Sequence, residues 1–171
     1  MSTLIASVAI AMFFHTWRDA GVAQSRSPCK SLPEFRQLDF WVGEWDVRDT
    51  SGAVIGTSKI QLIEDDCAIL ENYKGKSGYS GKSLNIYNTA SGKWKQFWVD
   101  NRGGVLEFEG QKIGRELRFL GESKDSNGSS VLEKLTFYDL DGADVRQVWE
   151  QSRDVGKSWK VVFDGLYMRR E

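Results

Sequence analysis

Histidine is almost missing from this chain: the sequence has one, His15, and it falls in an N-terminal segment that reads as a removable leader. A chain beginning at Gln24 would contain no imidazole. That excludes a Ser-His-Asp or Cys-His nucleophilic pair, a His-ligated zinc site and a proximal-His haem, each of which needs imidazole to take a proton or hold a metal. Proline is nearly as scarce, with Pro28 and Pro33 alone, both ahead of the strand-rich body, so no ladder there loses an amide donor. Two cysteines, Cys29 and Cys67, are too few for a zinc site without histidine. Positive charge is not in excess: the net charge is −1 and no basic stripe or arginine-rich tail is present. Nucleic acid is therefore disfavoured as a partner, because phosphate neutralisation leaves such a footprint. No apolar run reaches the roughly 20 residues of a membrane-spanning helix. The longest, Leu4 to Phe14, is interrupted by Ser7.

That short run, followed by polar residues and then Gly21-Val22-Ala23, fits a secretory signal with cleavage before Gln24, although no Lys or Arg precedes it. An uncleaved anchor or a misassigned start codon is the alternative. The chain divides into a signal peptide at 1–23, an N-terminal segment with a short helix at 24–42 and a β-barrel domain at 43–171. A secreted or periplasmic location follows, with no stable membrane insertion once the signal is gone. In such an oxidising compartment Cys29 and Cys67 would pair. The loop from 29 to 67 would then contribute roughly 4 kcal/mol in the chain-entropy description. Two separate thiols, one in the core, are the other reading. Arg26-Ser27-Pro28 before Cys29 lacks the small residues of a lipoprotein anchor.

Pro33 followed by Glu34-Phe35-Arg36-Gln37-Leu38-Asp39 predicts a short helical turn, with Phe35 and Leu38 on one side, lying against an open barrel end. Phe40 to Val47 then reads as a turn and first strand. Gly43 and Trp45 share one face, Glu44 and Asp46 the other, so Trp45 would plug one end of the core. Beyond it the chain is punctuated by turns at Thr50-Ser51-Gly52, Glu64-Asp65-Asp66, Gly75-Lys76-Ser77-Gly78, Thr89-Ala90-Ser91-Gly92, Arg102-Gly103-Gly104, Glu109-Gly110-Gln111, Ser126-Asn127-Gly128, Asp141-Gly142 and Val155-Gly156-Lys157. These imply about ten strands in hairpin succession, with no room for crossover helices. The predicted fold is all-β, an antiparallel up-and-down β-barrel, since closure removes the edges a flat sheet would expose. A two-sheet sandwich has the same strand pattern.

Gly43-Glu44-Trp45 in the first strand and Tyr167-Met168-Arg169-Arg170 at the end of the last resemble the calycin arrangement of lipocalin-like barrels. The resemblance implies a first-strand tryptophan, Trp45, covered by Arg169 or Arg170 as a cation–π lid, with Gly43 beside it. More closely, the chain resembles an uncharacterised family of secreted bacterial lipocalin-like domains of unknown function. The segments that carry this are Leu38 to Val47, Gly81 to Tyr87, Trp94 to Asp100 and Val145 to Glu150, and the likeness covers about residues 34 to 171. It implies a fold and no particular activity. Haem-binding relatives of such barrels use a histidine that the chain after Gln24 lacks.

Strand parity points to the residues that would face a cavity. Trp94, Gln96, Trp98 and Asp100 share one face; so do Val145, Gln147, Trp149 and Gln151; Ser83, Asn85 and Tyr87 form a third row, and Glu71 lies with Tyr73 on a fourth. Aromatic platforms with a few amide and carboxylate groups suit a small polar-aromatic or sugar-like ligand. The candidate ligand-binding set is therefore Glu71, Asn85, Gln96, Trp98, Asp100, Gln147 and Trp149, with no cofactor and no metal expected. Alternatively the rings fill a solid barrel. Ser152 to Trp159 matches the S-x-D-x-G-x-[ST]-W pattern of an Asp-box, which a hairpin explains without catalysis. Asn127-Gly128-Ser129 matches a glycosylation sequon that an Asn-Gly hairpin tip explains equally. The expected function is ligand binding within the barrel. A metal-independent enzyme using two of Glu71, Asp100, Glu150 and Asp164, or a packed accessory domain, are the alternatives.

Overall fold

The computed structural model describes residues 27 to 170, so the expected signal segment, its cleavage site and His15 lie outside the described residues. Ten antiparallel strands follow one another: β1 Gly43–Arg48, β2 Val54–Ile63, β3 Ala68–Gly75, β4 Ser80–Asn88, β5 Lys93–Asp100, β6 Val105–Ile113, β7 Glu116–Lys124, β8 Ser130–Asp139, β9 Val145–Ser152 and β10 Lys160–Arg169. Each pairs with its neighbours in sequence, and β1 pairs with β10, so the sheet closes into an up-and-down barrel without edges. The two-sheet sandwich is thereby ruled out. The closing seam is short, from Trp45 opposite Arg169 to Arg48 opposite Leu166.

Alternation sorts the side chains. On β5, Trp94 and Gln96 are buried and Trp98 partly so, whereas Phe97 and Val99 are exposed on the outer surface. The same period puts Trp45 and Val47 inside and Glu44 outside on β1. Outward charges pair across strands, as Lys59 with Glu44 at 2.9 Å and Lys134 with Glu150 at 2.8 Å.

Because the strands alternate in direction, the loops fall into two sets, one at each end of the barrel. At the first end, three short 3-10 turns over Pro28–Lys30, Pro33–Arg36 and Asp39–Trp41 form a plug. Phe35, Leu38 and Trp41 are buried there. Gln37 fastens the plug to the wall, accepting at its side-chain oxygen from Trp94 Nε1 (3.1 Å) and at its carbonyl from Lys112 Nζ (3.1 Å). The Cys29–Cys67 disulfide ties it to the loop between β2 and β3. Arg36 adds a hydrogen bond to the Asp66 carbonyl at 2.5 Å.

One turn is misplaced by the sequence reading. Glu109-Gly110-Gln111 lies in the middle of β6, and the β6–β7 hairpin turns at Gly114-Arg115 instead. Gly110 is a point of close approach: a Cβ there would run into the Arg118 carbonyl and the Phe119 ring on β7. Gly114, at φ +61°, supplies the left-handed residue of the turn.

Candidate functional site

The Asp-box hairpin and the loops at residues 49–53, 76–79, 101–104 and 125–129 surround the end of the barrel away from the plug. Beneath them the interior is not filled. A cavity of about 60 Å³, measured as the room open to the centres of water molecules, lies among Glu71, Tyr73, Tyr79, Gln96, Trp98, Leu106, Phe108, Leu135, Gln147, Trp149, Phe163 and Tyr167. A single water needs roughly 10–15 Å³ on this measure, so the space takes several waters or one small organic molecule.

The lining is largely aromatic and its rings are held from behind. Trp98 seats against Gly81 on β4, where any Cβ would collide with the indole. Phe163 seats on Gly165 in the same way and meets Tyr73 edge to face at 6.3 Å between centroids. Tyr79 stands at the mouth, 6.3 Å from Trp98, and donates to Asp100 Oδ2 at 3.1 Å. The Trp149 indole is fixed by its N–H, which donates to Glu133 Oε2 at 2.6 Å. Glu133, fully buried on β8, also accepts from Ser123 Oγ at 2.6 Å and Gln151 Nε2 at 3.1 Å. It is a positioning group for the ring.

A polar row crosses the opposite wall from β5 to β2. Gln96 Nε2 donates to Asn85 Oδ1 (2.7 Å), Asn85 Nδ2 to Ser83 Oγ (2.9 Å), and Ser83 Oγ to Glu71 Oε2 (2.9 Å). Ser58 Oγ donates to Glu71 Oε1, also at 2.9 Å. The Glu71 carboxyl is only 2 % exposed, and burial pushes its pKa up to about 7, against the smaller lowering effect of Ser58, Ser83 and Tyr167. Tyr167 donates to Gln147 Oε1 at 2.5 Å, and its own pKa is raised well above the ordinary value by burial and by the facing Glu71. Gln96 and Gln147 both line the cavity, with one end of each amide held, Gln96 by Asn85 and Gln147 by Tyr167.

Of the seven residues singled out from sequence, Glu71, Gln96, Trp98, Gln147 and Trp149 come together on the cavity wall. Asn85 and Asp100 do not. Asn85 is fully buried behind the wall, where it orients Gln96 and Ser83. Asp100 is at the rim, accepting from the amides of Arg102 (2.8 Å) and Gly104 (2.9 Å), so it holds the β5–β6 loop. Among the structural residues, the Arg169 guanidinium lies 4.5 Å from the Trp45 ring centroid, while Arg170 turns outward to Asp46 at 3.3 Å. A side chain at Gly43 would strike that Arg169 head group, so glycine leaves room for the lid.

The sequence reading did not single out Leu106 and Phe108, although they share a parity on the stretch between the turns it assigned. It also missed Leu135 and Phe163. Phe163, Gly165 and Tyr167 share a parity on β10 that could have shown the last two rings facing inward.

Glu71 is the one carboxylate among the lining side chains. Asp100 is committed to its loop, Glu150 to Lys134, and Asp164 to a bidentate pairing with Arg146 at 2.8 and 2.6 Å. The Asp-box is a hairpin brace: Asp154 accepts from Ser158 N (2.9 Å) and Ser158 Oγ (2.6 Å), which lowers its pKa to about 2.

Together these features define a closed ten-stranded antiparallel barrel, plugged at one end and hollow near the other, consistent with a calycin-like barrel. No family model matches the chain, and no curated protein matches it. Among the described residues no helix is long and apolar enough to cross a membrane.

Proposed function

We propose that this chain is a secreted or periplasmic lipocalin-like domain that holds a small ligand in the open half of its barrel. The observation that carries the reading is the cavity itself: a space of about 60 Å³ walled by Trp98, Trp149, Tyr73, Tyr79 and Phe163, with Glu71, Gln96 and Gln147 converging on it. Aromatic walls with a few oriented polar groups are the usual composition of a small-molecule site. The Cys29–Cys67 disulfide and the leader-like first 23 residues support export, because such bonds persist in oxidising compartments. The Arg169 lid over Trp45 supports the calycin likeness. Two-carboxylate catalysis has less support, since Glu71 has no second carboxylate beside it on the cavity wall.

The test is to denature the purified protein and identify any small molecule released, and to follow intrinsic fluorescence through a ligand panel. A bound molecule is expected, with Trp98→Ala weakening its retention at least about tenfold. No released molecule, together with a fluorescence signal unmoved by the panel, would overturn the reading.

A further inference from the structure

Glu71 is a carboxyl group without a counter-ion. It is 2 % exposed, lines the cavity and meets two serine hydroxyls, yet none of the ion pairs among the described residues includes it. From its own strand it faces Tyr73 and from β10 Tyr167, the titratable groups that sense its charge. From β2 and β4 it meets Ser58 and Ser83, and Gln96 on β5 and Gln147 on β9 share its cavity. The nearest lysines along these strands point outward, Lys59 to Glu44 and Lys82 to Asn72. An anion in an apolar interior is costly unless paired. Here the unpaired acid stands at the edge of a space walled by seven aromatic side chains, among them Tyr73, Trp98, Trp149 and Tyr167. Aromatic faces carry negative potential and attract cations, most strongly where water is excluded.

We infer that the barrel selects a small organic cation, a primary ammonium compound with a compact apolar body, whose charge is neutralised by Glu71 while the rings enclose the rest. The inference rests on the ligand-binding reading above. Each Glu71 oxygen accepts one serine hydrogen bond, with the Tyr167 hydroxyl also beside the carboxyl, and a carboxylate's further acceptor capacity lets an ammonium group bind without displacing Ser58 or Ser83. Gln96 Oε1 offers a further acceptor. An anionic ligand would face the same carboxylate with no lysine or arginine on the wall to offset it. The volume limits the buried part to a few heavy atoms, so a larger body would reach the mouth past Tyr79.

The probes are benzylamine, benzyl alcohol and benzoate, three compounds of similar shape and different charge, titrated by calorimetry at pH 5.5 and pH 8.5. Benzylamine should bind at least about tenfold more tightly than benzyl alcohol at pH 8.5, benzoate least, and the amine's advantage should shrink at pH 5.5 as Glu71 takes up a proton. Glu71→Gln should remove the amine's advantage over benzyl alcohol at pH 8.5. The pH comparison on the unaltered protein stands even if the variant folds poorly. Equal binding of amine and alcohol at both pH values would overturn the cation inference and leave the pocket reading intact. Binding of none of the three would overturn the cation inference, while the pocket reading stands or falls on the release and panel experiment above.

Discussion

Glu71 and Trp149 show how single side chains decide what the interior can do. Both are surrounded by hydrogen-bonding groups, but Trp149 has its N–H consumed by Glu133, whereas Glu71 stands at the cavity edge without a counter-ion among the described residues. The consequence for Glu71 is measurable without any ligand. Its carboxyl titrates at about 7 in the folded chain and near 4.5 when unfolded. Between those values the folded state holds a proton that the unfolded state has released, so this group's contribution to stability is fullest below pH 4.5 and declines as pH rises through 7. The shift corresponds to about 3 kcal/mol. Urea denaturation at pH 5 and pH 8 should therefore show the unaltered chain losing about 2.5 kcal/mol relative to Glu71→Gln, since pH 5 already lies above the unfolded value. The carboxylates with lowered pKa, Asp100 and Asp154 among them, titrate below this window and do not confuse the comparison. Parallel behaviour of the two proteins would show that Glu71 is solvated and not the acid described here.

At the scale of elements, the weak point of the barrel is its closing seam, four facing pairs between β1 and β10. Trp45 is fully buried beside that seam, donating its indole N–H to the Trp41 carbonyl at 2.9 Å and capped by Arg169. Trp45→Ala should cost about 3–5 kcal/mol in chemical denaturation, the usual loss for a buried indole. Arg169→Ala should cost about 1 kcal/mol, the scale of a partly exposed cation–π contact. A Trp45→Ala loss below 1 kcal/mol would mean the seam is held by its ladder alone.

The strands were legible because alternation and turn residues repeat on a short local period, and Trp94, Gln96 and Trp98 could be assigned to one face from that period alone. The β6–β7 turn was not, because Gly110 is glycine for a reason the local sequence does not carry: the crossing of the Arg118 backbone and the Phe119 ring on the next strand. Spacing held the missing signal, since a turn at residue 114 falls midway between those at 102 and 126, while one at 109 does not. The candidate site was legible only in part. Parity showed which side chains point inward, but not which of two facing side chains reaches the open space. Asn85 and Gln96 are directly opposite in register, yet one is behind the wall and the other on it.

Across the whole molecule the two ends of the barrel have separate tasks. The plug end concentrates the fastenings: the disulfide, the Gln37 bonds to Trp94 and Lys112, and the buried group of Leu38, Trp41 and Trp45. The mouth end carries the cavity, under loops braced mainly by their own Asx-type bonds, such as Asp125 to the amides of Asn127 and Ser129. Stability and binding should therefore separate under mutation. Replacing both Cys29 and Cys67 by Ser frees the loop between them in the unfolded chain, a loss of roughly 4 kcal/mol. For a domain of this size that lowers Tm by about 10 °C. At temperatures where the double variant stays folded, benzylamine affinity should remain within about twofold of the parent, because neither cysteine lines the cavity. Calorimetric Tm and titration on the same preparations make the comparison. A large fall in affinity with the fold intact would mean that the plug sets the shape of the cavity through the strands that join the two ends.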